Sequence, residues 1–477
     1  QTGDGNSATV SQTGDGHLSD VVVNGDDNTT NVTQEENGDQ NAWIRVQGLG
    51  GSDGNTVIVE QLATGENNNA TVRVSGDDNS VTMTQTGDEN NNGPNSGSET
   101  GSNPEGVDIY GNDNEVWIEQ HGDRNEGFVE IGDRGGASTA NGNYAEIRQH
   151  FNAEENLGYI TVTGDDNYAQ IDQDGSFDYA EIVQEGDGNW AETEQQNSNV
   201  TGEIYVHQSG DDNFAMAYQD GNSSYSEIHQ HGDDNSADTY QEGEDAFSYI
   251  EQDGDGNSAS VDQAGSENES YIIQPGDHNT ATVTQVAGSL DESYIEQSGD
   301  GNDATVTQDG AVLFPGVGGN YSEIDQSGDN NSATVNQTFH NDADVLPIDL
   351  GSYIDQSGDG NTANVTQDGI NASEIFQSGD HNTAIVNQTG ANASYIDQAG
   401  DGNTADVTQN GLLNASEIEQ YGNDGSVTIN QDGALHYSYV GQAFGNNNTA
   451  TVTQTGLGQN SSFVQFGSNN MATVVQN

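Results

Sequence analysis

The chain has 477 residues, of which only 30% are hydrophobic and 63 are glycine, so a conventional apolar core is difficult to build. It carries 80 acidic residues, five arginines and no lysine, and its net charge of −75 disfavours nucleic acid and anionic membranes as partners. The lack of cysteine excludes disulfides and thiolate metal sites, and no apolar run is long enough to cross a membrane, so no membrane insertion is expected.

Polar residues recur in strict register, which argues against the disorder that such a composition would otherwise indicate. The shared pattern is Ser-x-Ile-x-Gln-x-Gly-Asp-x-Asn-x-Ala-x-Val-x-Gln, as in Ser293–Gln308 and Ser352–Gln367. Its closing glutamine occurs 20 times, at a mean spacing of about 24 residues that is typical of a solenoid. In chain order these glutamines are Gln12, Gln34, Gln61, Gln85, Gln120, Gln149, Gln173, Gln195, Gln219, Gln241, Gln263, Gln285, Gln308, Gln337, Gln367, Gln388, Gln409, Gln431, Gln454 and Gln476.

Alternation with a period of two predicts two strands in each repeat, joined by two arcs. In one repeat the residues expected to face inward are Ser352, Ile354 and Gln356 of the first strand, with Asn361, Ala363, Val365 and Gln367 around the second strand. The variable residues between them are expected to face outward. We therefore predict an all-β fold, a β-solenoid of about 20 strand–arc–strand coils stacked as parallel in-register ladders.

The two arcs of each coil differ in their tolerance of insertions. The first arc, for example Ser357–Gly360, is nearly always four residues long, and its Gly and Asp tolerate the positive φ of a tight turn. The second arc leads to the next coil and carries irregular insertions near residues 86–106, 309–320 and 338–351. The segment 121–161 matches the pattern poorly, so its strands cannot all be assigned. Residues 1–477 are nevertheless interpreted as a single repeat solenoid.

Inward Gln and Asn side chains are unfavourable unless each buried amide finds a partner. Stacking supplies partners, because in coils about 4.8 Å apart an amide donates to its copy in one neighbour and accepts from its copy in the other. The predicted positions of this structural ladder are Gln297, Asn302, Gln308, Gln326, Asn331, Gln337, Gln356, Asn361, Gln367, Gln377, Asn382, Gln388, Gln398, Asn403 and Gln409.

The pattern Gln-x-Gly-x-x-Asn-x-Ala-x-x-x-Gln, formed here by Gln356, Gly358, Asn361, Ala363 and Gln367, resembles the repeat of curlins, the major subunits of curli fibres. It recurs along essentially the whole chain, with more repeats and more acidic residues than a standard curli subunit. The resemblance implies a β-solenoid that polymerises into cell-surface functional amyloid in a biofilm matrix. It also implies a nucleator and a secretion apparatus as partners.

We accordingly expect a non-enzymatic structural subunit of an extracellular amyloid-like fibre, which polymerises with copies of itself, head to tail, through open terminal strands. Gln1 lies inside a repeat and Asn477 follows the last strand directly, so we expect uncapped ends and a processed or truncated mature form. The alternative is a monomeric secreted β-solenoid adhesin or stalk with binding loops on one edge. A polysaccharide-cleaving β-helix is disfavoured, because its carboxylates would need to cluster with basic residues.

No cofactor is expected to be required, but Ca²⁺ or other cations are expected as counterions. The predicted stack carries about one charge per 1.3 Å, against about one per 1.7 Å in duplex DNA, so its assembly should depend on cations. Specific Ca²⁺ coordination in the Gly-Asp arcs remains an alternative to diffuse condensation. Its candidate ligands are Asp300, Asp329, Asp359, Asp380 and Asp401.

Two further residue types recur on the predicted outer face. Outward tyrosines occupy one repeat position and are expected to pack between coils or to serve bundling and adhesion; they are Tyr249, Tyr271, Tyr294, Tyr353, Tyr395 and Tyr439. The ten histidines follow no metal-ligand spacing, and His229 and His231 are at most neighbours on one face, so no metal site is assigned.

Overall fold

A computed structural model describes residues 1–35, 38–47, 52–62, 66–91, 106–132, 139–196, 201–286, 290–310, 319–338 and 351–477. Across these residues the protein is all-β, as predicted, and no helix that could cross a membrane is found. Most of the predicted insertions near 86–106, 309–320 and 338–351 lie outside the described residues. The chain divides into two compact units, Gln1–Thr239 and Tyr240–Asn477.

The first unit consists of short strands joined by arcs. They are β1 (Ser7–Thr13), β2 (Leu18–Val23), β3 (Thr29–Glu35), β4 (Asn41–Val46), β5 (Thr56–Gln61), β6 (Asn69–Ser75), β7 (Ser80–Thr86), β8 (Gly106–Tyr110), β9 (Glu115–Asp123), β10 (Glu126–Ile131), β11 (Tyr144–Glu154), β12 (Leu157–Thr163), β13 (Tyr168–Gln173), β14 (Tyr179–Glu185), β15 (Trp190–Gln195), β16 (Glu203–Ser209), β17 (Phe214–Gln219) and β18 (Tyr225–His231). The chain passes into the second unit within β19 (Ser236–Gln241).

The second unit has the same construction. Its strands are β20 (Phe247–Gln252), β21 (Ser258–Gln263), β22 (Glu269–Gln274), β23 (Thr280–Gln285), β24 (Glu292–Gln297), β25 (Asp303–Asp309), β26 (Tyr321–Gln326), β27 (Ser332–Thr338), β28 (Gly351–Gln356), β29 (Thr362–Gly369), β30 (Ala372–Gln377), β31 (Thr383–Gln398), β32 (Thr404–Gln420), β33 (Ser426–Ala434), β34 (Tyr437–Ala443), β35 (Thr449–Leu457), β36 (Asn460–Phe466) and β37 (Met471–Gln476). β31 and β32 are long because the second arc between their two halves also pairs with its neighbour.

Each strand pairs in parallel with the strand one coil further along the chain. In the first unit β1 pairs with β3 and β2 pairs with β4; in the second, β26 pairs with β28 and β27 pairs with β29. Equivalent residues are partners, so Gln326 lies opposite Gln356 and Gln337 opposite Gln367. The strands that end in a closing glutamine form what we call the second-strand stack, and the others form the first-strand stack. The predicted parallel in-register solenoid is thereby confirmed for each unit.

The inward and outward sets alternate along each strand as expected. Ser352, Ile354 and Gln356 of β28 are buried, whereas Tyr353 and Asp355 between them are only partly buried. A narrow core of Ile, Val, Ala, Ser, Asn and Gln side chains therefore fills the space between the two stacks of each unit. β-branched residues suit this pleated surface, and alanine leaves room for the opposite strand.

The poor match of segment 121–161 to the repeat pattern is explained by a change of residue type at one inward position. β9 to β12 continue the two stacks, but the last inward position of their first strands is Ile131 or Val162 in place of glutamine. The same substitution runs through the earlier first strands, at Val23, Val46, Val74 and Ile109. Glutamine occupies this position from Gln184 onward. Alternation is retained throughout, and only the amide signature is lost.

Glycine serves two different purposes in the first arc. The fourth arc residue adopts positive φ, at 64° in Gly360 and 55° in Asn330. The second arc residue is needed small for another reason: a Cβ on Gly358 would lie 2.2 Å from the carbonyl oxygen of Gly379 in the next coil. Backbone therefore stacks directly on backbone along this arc.

This difference predicts opposite outcomes for two glycine substitutions. Gly358→Ala should destabilise the protein by about 1–3 kcal/mol, because the added methyl group forces two coils apart. Gly360→Asn should be tolerated, since Asn330 already occupies the equivalent left-handed position. Urea unfolding of the two variants checks this, and equal shifts of the midpoint would show that the close approach is not what selects glycine.

Candidate functional site

The closing glutamines of the second-strand stack form a hydrogen-bonded ladder in each unit. In the first unit Nε2 of each glutamine donates to Oε1 of the next at 2.7–3.2 Å, from Gln12 to Gln219. In the second unit the same bonds run from Gln241 to Gln476 at 2.8–3.1 Å. The donors all point toward the later coil, so each ladder has a direction.

A second glutamine ladder runs along the first-strand stack. In the second unit it links Gln252 to Gln465 through bonds of 2.7–3.0 Å. In the first unit it begins at Gln184 and reaches Gln230 through Gln208. The two ladders contain all ten glutamines predicted as structural positions: Gln297, Gln326, Gln356, Gln377 and Gln398 in the first-strand stack, and Gln308, Gln337, Gln367, Gln388 and Gln409 in the second-strand stack.

Second-strand glutamines also tie together the two strands of their own coil, as Gln388 shows. Nε2 of Gln388 donates to the backbone carbonyl of Ala372 at 3.0 Å as well as to Gln409 at 2.8 Å. Both amide hydrogens of Gln388 are therefore used, one within the coil and one between coils. A buried amide with all of its donors paired avoids the desolvation penalty that would otherwise oppose a polar core.

The predicted asparagine positions form a different kind of ladder at the end of the first arc. The backbone N–H of Asn331, Asn361, Asn382 and Asn403 donates at 2.8 Å to Oδ1 of the asparagine one coil earlier, beginning with Asn302. These bonds run opposite to the glutamine ladders. Nδ2 of Asn302, Asn382 and Asn403 is buried without a hydrogen-bond partner among the described residues, so this ladder is less completely paired.

The five aspartates considered for Ca²⁺ form a row on the exposed surface of the first arc. The backbone N–H of each donates to the side-chain Oδ1 one coil later at 2.9–3.1 Å, along Asp300, Asp329, Asp359, Asp380 and Asp401. Among the described residues these carboxylates do not gather into a group of three with ligand atoms within 4.8 Å of one another. Calcium binding here therefore stays a prediction.

Carboxylates also stack on the outer face of the first strands, where partial burial changes their chemistry. Glu296, Asp325 and Asp355 occupy the same position in three successive coils. Burial, with repulsion from Asp355, Glu296 and Glu323, raises the pKa of Asp325 to about 6. Burial also raises the pKa of Asp355. Protonation of Asp325 and Asp355 is thus easier in the folded protein than in an extended chain.

The outward tyrosines pack along the stack and bond to neighbouring carboxylates. The rings of Tyr249, Tyr271 and Tyr294 follow one another with centroids 6.4 Å apart. The hydroxyl of Tyr294 donates to Oε2 of Glu296 at 2.9 Å. Contact between coils is thus observed for these aromatic residues, while bundling or adhesion through them remains a prediction.

The arginines of the first unit are engaged with carboxylates of neighbouring coils. Arg73 contacts buried Asp108 at 3.0 Å, and Arg45 contacts Asp20 at 2.9 Å. Arg73 and Asp108 lie opposite each other in adjacent strands, whereas Arg45 lies opposite Val22 and reaches Asp20 two residues away. These cations therefore offset local negative charge.

Three histidines that the sequence analysis left unassigned come together in the first unit. His207 of β16 lies opposite His229 of β18, and His231 follows two residues later on the same outward face. The sequence predicts His229 and His231 as neighbours on one face at most, and the structure adds His207 to them. His207 and His229 are separated by one coil in the sequence. This spacing could have revealed the group, but a comparison of histidines within single strands does not detect it.

These features define a polar-core β-solenoid held by amide ladders, a class of structural repeat protein. The family model described as the curlin associated repeat matches nine segments that together cover more than half of the chain: residues 1–35, 53–87, 232–265, 254–286, 287–310, 340–369, 400–433, 422–456 and 445–477. The chain belongs to the curlin associated repeat family, which confirms the resemblance. A search of curated proteins found no significant match. Family membership points to a curli-like extracellular structural protein.

The ladder geometry predicts a strong inside–outside contrast at adjacent residues of β28. Gln356 accepts from Gln326 at 2.7 Å and donates to Gln377 at 2.8 Å. Gln356→Leu therefore leaves the donor of Gln326 and the acceptor of Gln377 without these bonds. The expected loss is about 1–3 kcal/mol for each unpaired group. Asp355→Asn, on the outer face, should cost little. Urea unfolding of the two variants measures the difference, and equal tolerance would contradict the ladder as a source of stability.

The carboxylate row predicts a pH-dependent stability in which Asp325 takes part. Because its pKa is about 6 in the folded protein, above its value in the unfolded chain, its stabilising contribution is complete at low pH and is lost as the pH rises through about 6. Asp325→Asn should therefore stabilise the protein at about pH 7 and have little effect at about pH 4. Thermal unfolding at both values checks this, with exposed Asp368→Asn as the control. A larger effect at the lower pH would refute the assignment.

Proposed function

We propose that the protein is a structural subunit of an extracellular curli-like fibre, in which copies add end to end and continue the amide ladders. The observation that carries this proposal is the equivalence of successive rungs. Each second-strand glutamine offers the following coil the same Nε2 donor and the preceding coil the same Oε1 acceptor, from Gln241 to Gln476 in the second unit. A coil from another chain can meet the same requirement.

The direction of the ladders restricts how copies can join. In the described glutamine–glutamine bonds the donor always belongs to the earlier coil, so two copies that met in opposite senses would oppose donors to donors or acceptors to acceptors. Addition in the same sense pairs unlike groups and is a heterologous contact. Contacts of this kind generate open filaments when the rotation between copies does not close a ring. Head-to-tail growth therefore suits the ladder chemistry best.

The outermost described strands offer edges on which such growth can occur. Among the described strands, β1 pairs only with β3, and β37 pairs only with β35. The face of the last coil is also apolar in part, with Met471 82% and Val475 60% exposed. An unpaired edge that carries exposed apolar side chains is a template for a further strand, whichever chain supplies it.

The expected charge density adds a requirement for cations to this proposal. The aspartates of the first arc form a row of exposed carboxylates, and stacking further copies extends the row. Cations that accumulate along it reduce the repulsion and so support growth. Calcium should outperform magnesium only if the arcs coordinate it directly, since Mg²⁺ keeps its water more tightly.

The test is filament formation by the purified 477-residue chain, followed by electron microscopy and sedimentation, with a variant that blocks one edge. The N–H of Thr449 donates to the backbone carbonyl of Asn470, just before β37, and Thr449 lies opposite Met471. By alternation, the N–H groups of Met471 and Thr473 therefore face onward. Thr473→Pro removes this donor and should strongly reduce filament mass, whereas Thr473→Val keeps it and should assemble normally. Circular dichroism confirms that both variants remain folded.

Two results would overturn the proposal. Wild-type protein that stays as single particles at high concentration and salt would favour a secreted adhesin or stalk. Normal assembly of Thr473→Pro would place the contact elsewhere on the surface. Dialysis of filaments against low salt with a chelator tests the cation requirement, and filaments that survive it without loss would remove that part of the proposal.

A further inference from the structure

The three-histidine group lies on the outer face of the first-strand stack in the first unit. It combines two adjacent coils: β16 supplies His207, and β18 supplies His229 and His231. The pairing places His207 directly opposite His229 and places Ser209 opposite His231. Since residues two apart in a strand share a face, all three imidazoles project from the same side.

The rings are close enough for their nitrogens to converge. Ring centroids lie 5.8 Å apart for His207 and His229, 5.5 Å for His207 and His231, and 6.4 Å for His229 and His231. One nitrogen from each ring lies within 4.8 Å of the others, and no other His, Asp or Glu group in the described part of the chain meets this criterion. Tetrahedral binding needs nitrogens about 3.3 Å apart at metal–nitrogen distances of 2.0–2.1 Å. Small side-chain rotations supply this change.

The hydrogen bonds around the group resemble the support that metal-binding histidines need. Nε2 of His229 bonds to Oε1 of Glu227 at 2.5 Å, and Nδ1 of His231 bonds to Oγ of Ser209 at 2.6 Å. A bond from one ring nitrogen to a carboxylate or hydroxyl orients the imidazole and presents the other nitrogen to a metal. Nε2 of His207, by contrast, is buried and finds no hydrogen-bond partner within the described part of the chain.

The electrostatic environment favours a bound cation over three protonated rings. The ring of His207 lies 5.8 Å from that of His229 and 5.5 Å from that of His231, so positive charge on all three rings would be close together. Glu181 and Glu185 of the preceding first strand add negative charge near His207. A divalent ion can balance these carboxylates where three adjacent imidazolium groups would repel one another.

We propose that His207, His229 and His231 bind one divalent transition-metal ion of the kind that prefers imidazole, such as Zn²⁺, Cu²⁺ or Ni²⁺. Glu227 acts as a positioning residue for His229. Imidazole ligands select these ions over Ca²⁺ and Mg²⁺, which prefer oxygen. The ion links two successive coils, so its binding stabilises this part of the first unit. The ordinary alternative is a stacked aromatic row like that of the tyrosines, without a ligand.

Zinc binding by the full chain tests the proposal, provided that diffuse binding to carboxylates is suppressed. Equilibrium dialysis against Zn²⁺ in a large excess of Mg²⁺ should leave one retained Zn²⁺ per chain. His229→Gln and His207→Gln should each weaken this binding by at least about tenfold, by analogy with the loss of supporting groups at metal sites. Glu227→Gln should weaken it less.

His150→Gln is the matched control, because His150 is another outward histidine with a carboxylate partner, Asp172 at 2.7 Å. It should retain Zn²⁺ as the wild type does, and circular dichroism should show all variants folded. With Cu²⁺ as the probe, electron paramagnetic resonance should show coupling to imidazole nitrogen that disappears in the triple glutamine variant. Zn²⁺ that is fully displaced by Mg²⁺, or retained equally by His229→Gln, would overturn the proposal and leave the aromatic row.

Discussion

The pairing of buried amides between successive coils is the constraint on which the rest of this structure depends. An unpaired amide in the core costs free energy, so stability favours a register in which each glutamine lies opposite another glutamine in the next coil. This requirement fixes the register in which successive coils pair. It also restricts the length of the first arc, because the arc joins an inward residue of the first strand to the inward asparagine before the second strand. The second arc is less restricted, and its length varies from coil to coil.

The outer face follows from the same arrangement, because any residue placed there is repeated at the strand spacing. Like charges brought together in this way repel, and the raised pKa of Asp325 between Glu296 and Asp355 is one result. Aromatic rings reduce the exposed apolar surface by packing on one another, as Tyr271 does between Tyr249 and Tyr294. Stacking thus turns single side chains into continuous rows, whether they are favourable or not.

Much of the fold and of the glutamine ladders could be predicted from the sequence because the same residue pattern recurs in each coil. The inward positions of Gln356 and Gln367 follow from period-two alternation, and comparison of successive coils identifies their partners. The segment 121–161 was harder to assign because Ile131 packs where a glutamine stands in later first strands, and an apolar residue cannot be recognised by an amide side chain. The histidine group was missed for another reason: His207 and His229 are neighbours only across coils, and spacing along one strand does not reveal them.

The change from Val162 to Gln184 in the first-strand stack leaves a chemical boundary inside the first unit. Oε1 of Gln184 is buried without a hydrogen-bond partner among the described residues, because the preceding rung offers a methyl group where a donor would be needed. This ladder therefore has one unpaired buried acceptor at its first glutamine, and each further glutamine adds no other. Coils from the two sides of the boundary are consequently not interchangeable. A misfolded stack that paired more glutamine coils with valine or isoleucine coils would leave more buried amides unpaired, and the native order of coils leaves the fewest.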